Sequence, residues 1–292
     1  MSGGAAVPPL AQVAVSGILL GGVYALLAGG LNLIFGVMRV INLAHGELLM
    51  LGAFTTYWLF ARAGLNPLLS LLVTLPLLFL LGAVVQRYLV ARVVRRPLLI
   101  SLLLTFGLSL SLTGLAQQLW TNDYRSVPYL SGSIDLAGLA LSRPRLVAFA
   151  VALVLSGAAY AFLRWGRWGR AMRATAQNAD AALVCGVDVD RARLLAFALG
   201  AALAGAAGTL AAFMYTVFPE MGRTFMLKAF AVIVLGGMGS FPGAFLGALL
   251  LGLVEAYAAY FTTTQIAEAV IYLILVLALL LRPSGLFGLR EA

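Results

Sequence analysis

Residues Gln12 to Val37 read QVAVSGILLGGVYALLAGGLNLIFGV, a run without one charged side chain. A helix needs roughly 20 consecutive apolar residues to cross the hydrocarbon of a bilayer, and this run exceeds that. In lipid the backbone must satisfy its own polar groups, so only helices and closed barrels cross. A barrel strand alternates apolar and polar positions over about ten residues, whereas this run is apolar without interruption. The fold class is therefore all-α, a polytopic transmembrane helical bundle.

Working outward, similar runs recur. The spacing predicts spans at 41–61, 67–90, 98–120, 146–163 and 194–217, then a short segment at 225–235, a longer one at 244–261 and a last at 266–281. Together with the first run they give about eight or nine spans, all in one transmembrane domain covering residues 1–292. Bulk composition agrees: 63% of residues are apolar, 10% are charged and the mean hydropathy is +1.04. An ordinary soluble domain carries about 25% charged residues. The first ten residues contain no basic side chain, which a secretory signal requires, so the first run is expected to be a retained helix.

The net charge of +9 is distributed as topology signals, not as a nucleic-acid footprint. Arg87, Arg92, Arg95 and Arg96 follow the third span without an acid, and Arg164, Arg167, Arg170 and Arg173 follow the fifth before Asp180. Both connections are expected in the cytoplasm by the positive-inside rule. The interval 121–145 mixes Asp123 and Asp135 with basic residues and is expected outside. Counting spans places the N-terminus outside and the C-terminus, with Arg282 and Arg290, inside, provided that the short segment and its successor both cross. The single cysteine, Cys185, excludes an internal disulfide. Small-xxx-small pairs at Gly17/Gly21, Gly239/Gly243 and Gly243/Gly247 predict close helix packing.

Two stretches break the apolar pattern with glycine and polar groups: residues 39–47, with Asn42, His45, Gly46 and Glu47, and residues 235–243, with Gly236, Gly237 and Gly239. Interrupted segments in both halves of a transporter point to a substrate path. Two readings stand at Asn42 and His45: a cap on a helix break, or a contact with solute or gate. Glu47 and Glu255 are either interior hydrogen-bonding groups or interfacial ones, and Arg39 is expected at the cytoplasmic boundary. His45 is the only histidine, which excludes a histidine-built metal site.

The interval 164–190 is longer than a connector needs. It contains a helix-like stretch, 178–185, with Asn178 as N-cap, Asp180 in the first turn and Gly186 as the stop. Such a helix suits a groove on a partner; the other reading is an amphipathic helix on lipid headgroups.

The run GVMRVINLAHGELLMLGA, Gly36 to Ala53, resembles the signature of permease subunits of branched-chain amino acid ABC importers, of the shorter LivH type. Arg170 to Gly186 is similar to that family's cytoplasmic coupling segment, with Ala181, Ala182 and Gly186 in its Ala-Ala-xxx-Gly pattern, and Cys185 makes it somewhat more apolar. The segment 228–243 and the ending 282–288 match as well. The resemblance implies a type II ABC importer permease in the bacterial inner membrane. It also implies a second permease (LivM-type, or a second copy), two cytoplasmic ATPases that bind ATP and Mg, and a periplasmic substrate-binding protein. It places Arg170, Arg173, Asn178, Ala181, Ala182 and Gly186 in ATPase coupling. Asn42, His45, Gly46, Glu47, Gly236, Gly237 and Gly239 then belong to the path or gate, with no cofactor in this chain. Urea and short amides are substrates of close relatives. No P-loop is present: the only lysine, Lys228, precedes Ala229 in an apolar run. A channel or secondary transporter acting alone shares the hydrophobicity and the breaks but has no use for residues 164–190. A membrane enzyme lacks paired carboxylates, a nucleophile elbow or a metal cluster at working spacing.

Overall fold

The computed structural model describes residues 9–136, 138–281 and 285; the expected cytoplasmic markers Arg282 and Arg290, the ending 282–288 apart from Gly285, and the first eight residues lie outside them. Eleven α-helices are seen among the described residues: α1 (Pro9–Met38), α2 (His45–Ala63), α3 (Leu71–Tyr88), α4 (Leu98–Trp120), α5 (Arg143–Trp165), α6 (Arg167–Gln177), α7 (Ala179–Val184), α8 (Val189–Ala212), α9 (Met221–Gly236), α10 (Phe241–Phe261) and α11 (Thr264–Leu281). Each of the nine predicted segments is a helix. Seven (α1, α3, α4, α5, α8, α10 and α11) are long and apolar enough to cross a membrane. The remaining two are special. α9 has 16 residues, about 24 Å at 1.5 Å per residue, short of the roughly 30 Å of hydrocarbon. α2 begins only after an unwound stretch at 39–44.

Capping explains where helix boundaries depart from hydropathy. α8 starts at Val189, ahead of its apolar run, because the Asp188 carboxylate accepts from the Arg191 amide at 3.0 Å. α10 starts at Phe241 because Ser240 Oγ accepts from the Gly243 amide at 3.2 Å and Pro242 sits in the first turn. The interval 121–145, read from sequence only as polar, folds a short antiparallel hairpin, β1 (Ser133–Leu136) on β2 (Leu139–Ser142). α6 was not foreseen either.

α1 and α8 form the centre. α1 packs on α5, α8, α9 and α10, and α8 packs on α2 and α3. Small residues make this possible: α8 is largely alanine with Gly200, Gly205 and Gly208, so neighbours approach its backbone from several sides. Gly17 and Gly21 of α1 lie against Gly252 and Ala248 of α10, with no room for a Cβ between the backbones. Between α2, α3 and α8 a hydroxyl network replaces apolar contact, with Thr56 3.0 Å from both Ser70 and Thr209 and Thr209 3.2 Å from Thr74. α4, α5 and α11 are peripheral and expose apolar side chains.

The two ends differ. At one end a single apolar cluster joins Val37 and Val40 to Val85 and Val90, Met172 and Ala192. That gathers the arginine-rich connections after α3 and α5, together with α6 and the start of α8. At the other end Gln12 bonds to Ala140 of the hairpin, Arg125 pairs with Val217, and Tyr257 donates to the Leu10 carbonyl. Residues 121–145 and 164–190 thus lie at opposite ends.

Candidate functional site

The break before α2 is buried. Asn42 Oδ1 accepts from the Ala44 amide at 3.2 Å, turning the chain into the helix. The His45 ring Nε2 donates to the Leu27 carbonyl of α1 at 3.1 Å. Room for the imidazole comes from Gly30, where a Cβ would lie 3.2 Å from the ring and 2.7 Å from the Gly200 carbonyl. Glu47 lies against the hydroxyls of Ser109 and Thr113 on α4. These bonds use only part of the polar capacity present. Asn42 Nδ2, His45 Nδ1 and Glu47 Oε2 are all buried without a hydrogen-bond partner among the described residues. Buried polar groups are nearly always paired, so a cluster of unpaired ones requires a reason.

Directly beside this cluster, the first turns of α2 and α9 meet backbone to backbone: a Cβ on Gly222 would lie 2.7 Å from the Gly46 carbonyl and 3.0 Å from the Glu47 amide. The interruption facing residues 39–44 is therefore the stretch before α9, residues 213–220, which hydropathy did not single out. Residues 235–243, expected to pair with the first break, form the α9–α10 turn at the arginine-rich end. There Gly237 and Gly239 adopt φ of +95° and +89°, a region in which a Cβ is strained. The turn is held by Asn32 of α1, which accepts from the Gly239 amide at 2.6 Å and donates to the Ser240 carbonyl at 2.7 Å. The predicted residues thus fall into two places along α1, near Leu27 and near Asn32. Asn32 was missed; an amide within an uncharged 26-residue run was the available signal.

At the arginine-rich end, α6 and α7 stand between α5 and α8. Asn178 Oδ1 accepts from the Ala181 amide at 3.0 Å, and Gly186 at φ +79° ends the short helix. Ala182 faces inward and Ala181 outward. Arg170 donates to the Trp165 carbonyl at 3.3 Å and Arg173 to that of Leu163, which satisfies the last carbonyls of α5. Leu183 and Val184 are 58% and 88% exposed, two apolar side chains turned outward from a polar segment.

A further cluster escaped the sequence reading. Lys228 of α9 donates to Glu255 of α10 at 2.6 Å and to the Tyr24 hydroxyl of α1 at 3.1 Å, with the lysine and glutamate side chains only 8% and 13% exposed. The Lys228 ammonium also lies 5.3 Å from the Tyr24 ring centroid. The signal available was a sole lysine inside an apolar run.

Residues 13–279 match the family described as branched-chain amino acid transport system / permease component. The chain is 34% identical to the high-affinity branched-chain amino acid transport system permease protein BraD of Pseudomonas aeruginosa, covering 96% of both chains. It is 32% identical to LivH of Salmonella typhimurium, again over 96% of each. A probable LivH of Methanocaldococcus jannaschii is 28% identical, with 93% and 90% covered. In fold it is similar to a chain of PsaBC from Streptococcus pneumoniae in complex with Fab, with a TM-score of 0.51, 12% identity and 92% of each chain covered.

Proposed function

The chain belongs to the family of permease components of branched-chain amino acid transport systems, and from that membership we propose that it forms half of the translocation pathway of an ATP-driven importer for branched-chain amino acids. It is a transport subunit and not an enzyme. As a single permease domain it pairs with a second permease, of the LivM type or another copy, in the bacterial inner membrane. Two cytoplasmic ATPases bind ATP and Mg and supply the energy, and a periplasmic binding protein delivers the amino acid. The arginine-rich end is the cytoplasmic one, which puts the N-terminus in the periplasm and the C-terminus in the cytoplasm.

The observation that carries the coupling role is α7. A six-residue helix, capped by Asn178 and stopped by Gly186, presents Leu183 and Val184 outward where nothing among the described residues covers them. Exposed apolar side chains on a capped knob suit a groove on an ATPase. Arg170 and Arg173 fix the α5–α6 corner behind that knob, so that force on α7 reaches α5 and, through Asp188, α8. The solute path runs beside the first turns of α2 and α9, where Asn42, His45, Gly46 and Glu47 lie, and the Gly236–Gly239 turn closes its cytoplasmic side.

Gly186→Val tests the coupling role. Apart from Gly186 itself and its chain neighbours, no described residue has an atom within 4 Å of a Cβ built there, so the substitution strains only the left-handed backbone, by about 1–2 kcal/mol. The complex is expected to assemble while ATP hydrolysis continues without uptake. Wild-type uptake by the assembled variant would refute it.

A further inference from the structure

At the arginine-rich end a cavity of about 590 Å³ opens between the end of α3 and the start of α8. Its deepest charge is Arg193. That side chain is 12% exposed, and its Nε and Nη1 are buried without a hydrogen-bond partner among the described residues. The nearest acid, Asp190, is 3.9 Å away and 90% exposed. Asp180 of α7 acts on Arg193 as an opposite charge and Arg95 as a like one. Arg87, Arg95 and Arg191 line the same cavity, and Arg191 is engaged by Asp188 at 2.9 Å. A buried guanidinium with an unused edge is costly unless an acceptor meets it, and its planar fork matches phosphate or carboxylate.

A second unpaired atom narrows the ligand. Gln86 Oε1, on the α3 wall, is buried and accepts from nothing among the described residues. A ligand that satisfies both walls carries an anionic acceptor and, close to it, a hydroxyl donor. Asp190 lines the cavity as its one acid, against four arginines, and the rest of the lining is apolar, with Ala91, Val94 and Leu194. Next to the lining residue Arg87, the outer face of α3 carries Val73, Leu77, Leu80, Val84 and Tyr88 at helical spacing, 41–62% exposed. That stripe runs along a membrane-crossing helix and ends in a tyrosine beside arginines, the pattern of a bilayer interface.

We propose that this cavity binds an anionic phospholipid whose headgroup bears a hydroxyl. The phosphate rests on Arg193 and Arg95, the headgroup hydroxyl donates to Gln86, and an acyl chain lies along the Val73–Tyr88 stripe. Basic pockets between helices on the cytoplasmic side are known to take such headgroups.

The test uses the assembled complex in detergent, titrated with phosphatidylglycerol, phosphatidic acid, phosphatidylcholine or soluble glycerol phosphate and read by native mass spectrometry and thermal midpoint. Phosphatidylglycerol is expected to bind well ahead of phosphatidylcholine. Arg95→Ala should weaken it about fivefold, in line with one interfacial arginine, and Arg193→Met by more. Gln86→Met should weaken phosphatidylglycerol and leave phosphatidic acid unchanged, while Arg62→Ala at the opposite end changes nothing. Should Arg193→Met fail to assemble, Arg95→Ala and Gln86→Met decide the matter. Equal binding of anionic and zwitterionic lipid, or wild-type affinity in the Arg95 and Gln86 variants, overturns the proposal. Glycerol phosphate binding as tightly as the lipid overturns it too, because the apolar stripe would then contribute nothing.

Discussion

Two polar clusters are buried inside the bundle, and they are built in opposite ways. At Lys228, Glu255 and Tyr24, opposite charges meet at 2.6 Å and a hydroxyl supports the ammonium at 3.1 Å, so three helices are tied by groups that pair with one another, and Glu255 Oε2 is the one atom of the three side chains buried without a partner among the described residues. At Asn42, His45 and Glu47, each side chain makes a contact and yet one buried atom of each is left without a partner among the described residues. The first arrangement is a fastener. The second leaves polar atoms unpaired at the point where two helices start, the place proposed above for the solute path.

The largest effect should come from breaking the fastener on one side only. Lys228→Met leaves the Glu255 carboxylate buried without its counter-ion, and uncompensated buried charges cost about 3–5 kcal/mol. The folded yield and thermal midpoint of the purified complex should fall sharply. The double variant Lys228→Met with Glu255→Leu should recover most of the loss, because a buried ion pair replaced by apolar side chains is often near neutral. If the double variant is as unstable as the single one, the pair has a role beyond mutual neutralisation and the contrast with the second cluster weakens.

A middle-sized effect is expected at His45, which belongs to both categories. His45→Ala removes the bond to Leu27 and leaves a cavity between α1 and α8, costing about 2–4 kcal/mol from lost packing and hydrogen bonding. His45→Gln keeps a donor and some of the volume and should restore much of the stability. Comparing uptake at equal amounts of assembled complex separates the two readings of this residue: full uptake by His45→Gln would make the imidazole a cap alone.

The sequence carried these features unevenly, for physical reasons. Every membrane helix was legible because roughly 20 apolar residues in a row have few alternatives, and α7 was legible because a cap and a stop flank it. α6 was not, since its apolar positions, Trp168, Ala171 and Met172, recur at helical spacing on one face and form no continuous run. The hairpin at 133–142 is too short to alternate convincingly. The contact between Gly46 and Gly222 depends on how α2 and α9 cross, a tertiary matter that no local pattern encodes. Lys228 and Glu255 lie 27 residues apart on different helices; either could be seen alone, but the pair exists only once α10 folds back along α9. Asn32 was hidden because its bonding partners are more than 200 residues away.

The smallest effect on stability, and the sharpest test of the contrast, belongs to Glu47→Gln. The substitution preserves size and shape, keeps an acceptor facing Ser109 and Thr113, and replaces a carboxyl whose Oε2 is buried without a hydrogen-bond partner among the described residues. Replacing an unpaired buried carboxyl by a neutral isostere should leave the thermal midpoint unchanged or slightly raised, by about 1 kcal/mol at most. Uptake is the quantity that should move. If the spare oxygen of Glu47 meets the ammonium group of a passing amino acid, the variant loses charge-assisted hydrogen bonding worth about 1.5–3 kcal/mol, a loss of roughly tenfold or more in transport at limiting substrate. A fully active Glu47→Gln would show that the unpaired atoms near α2 are filled by water and that both clusters, despite their different construction, serve only to hold helices together.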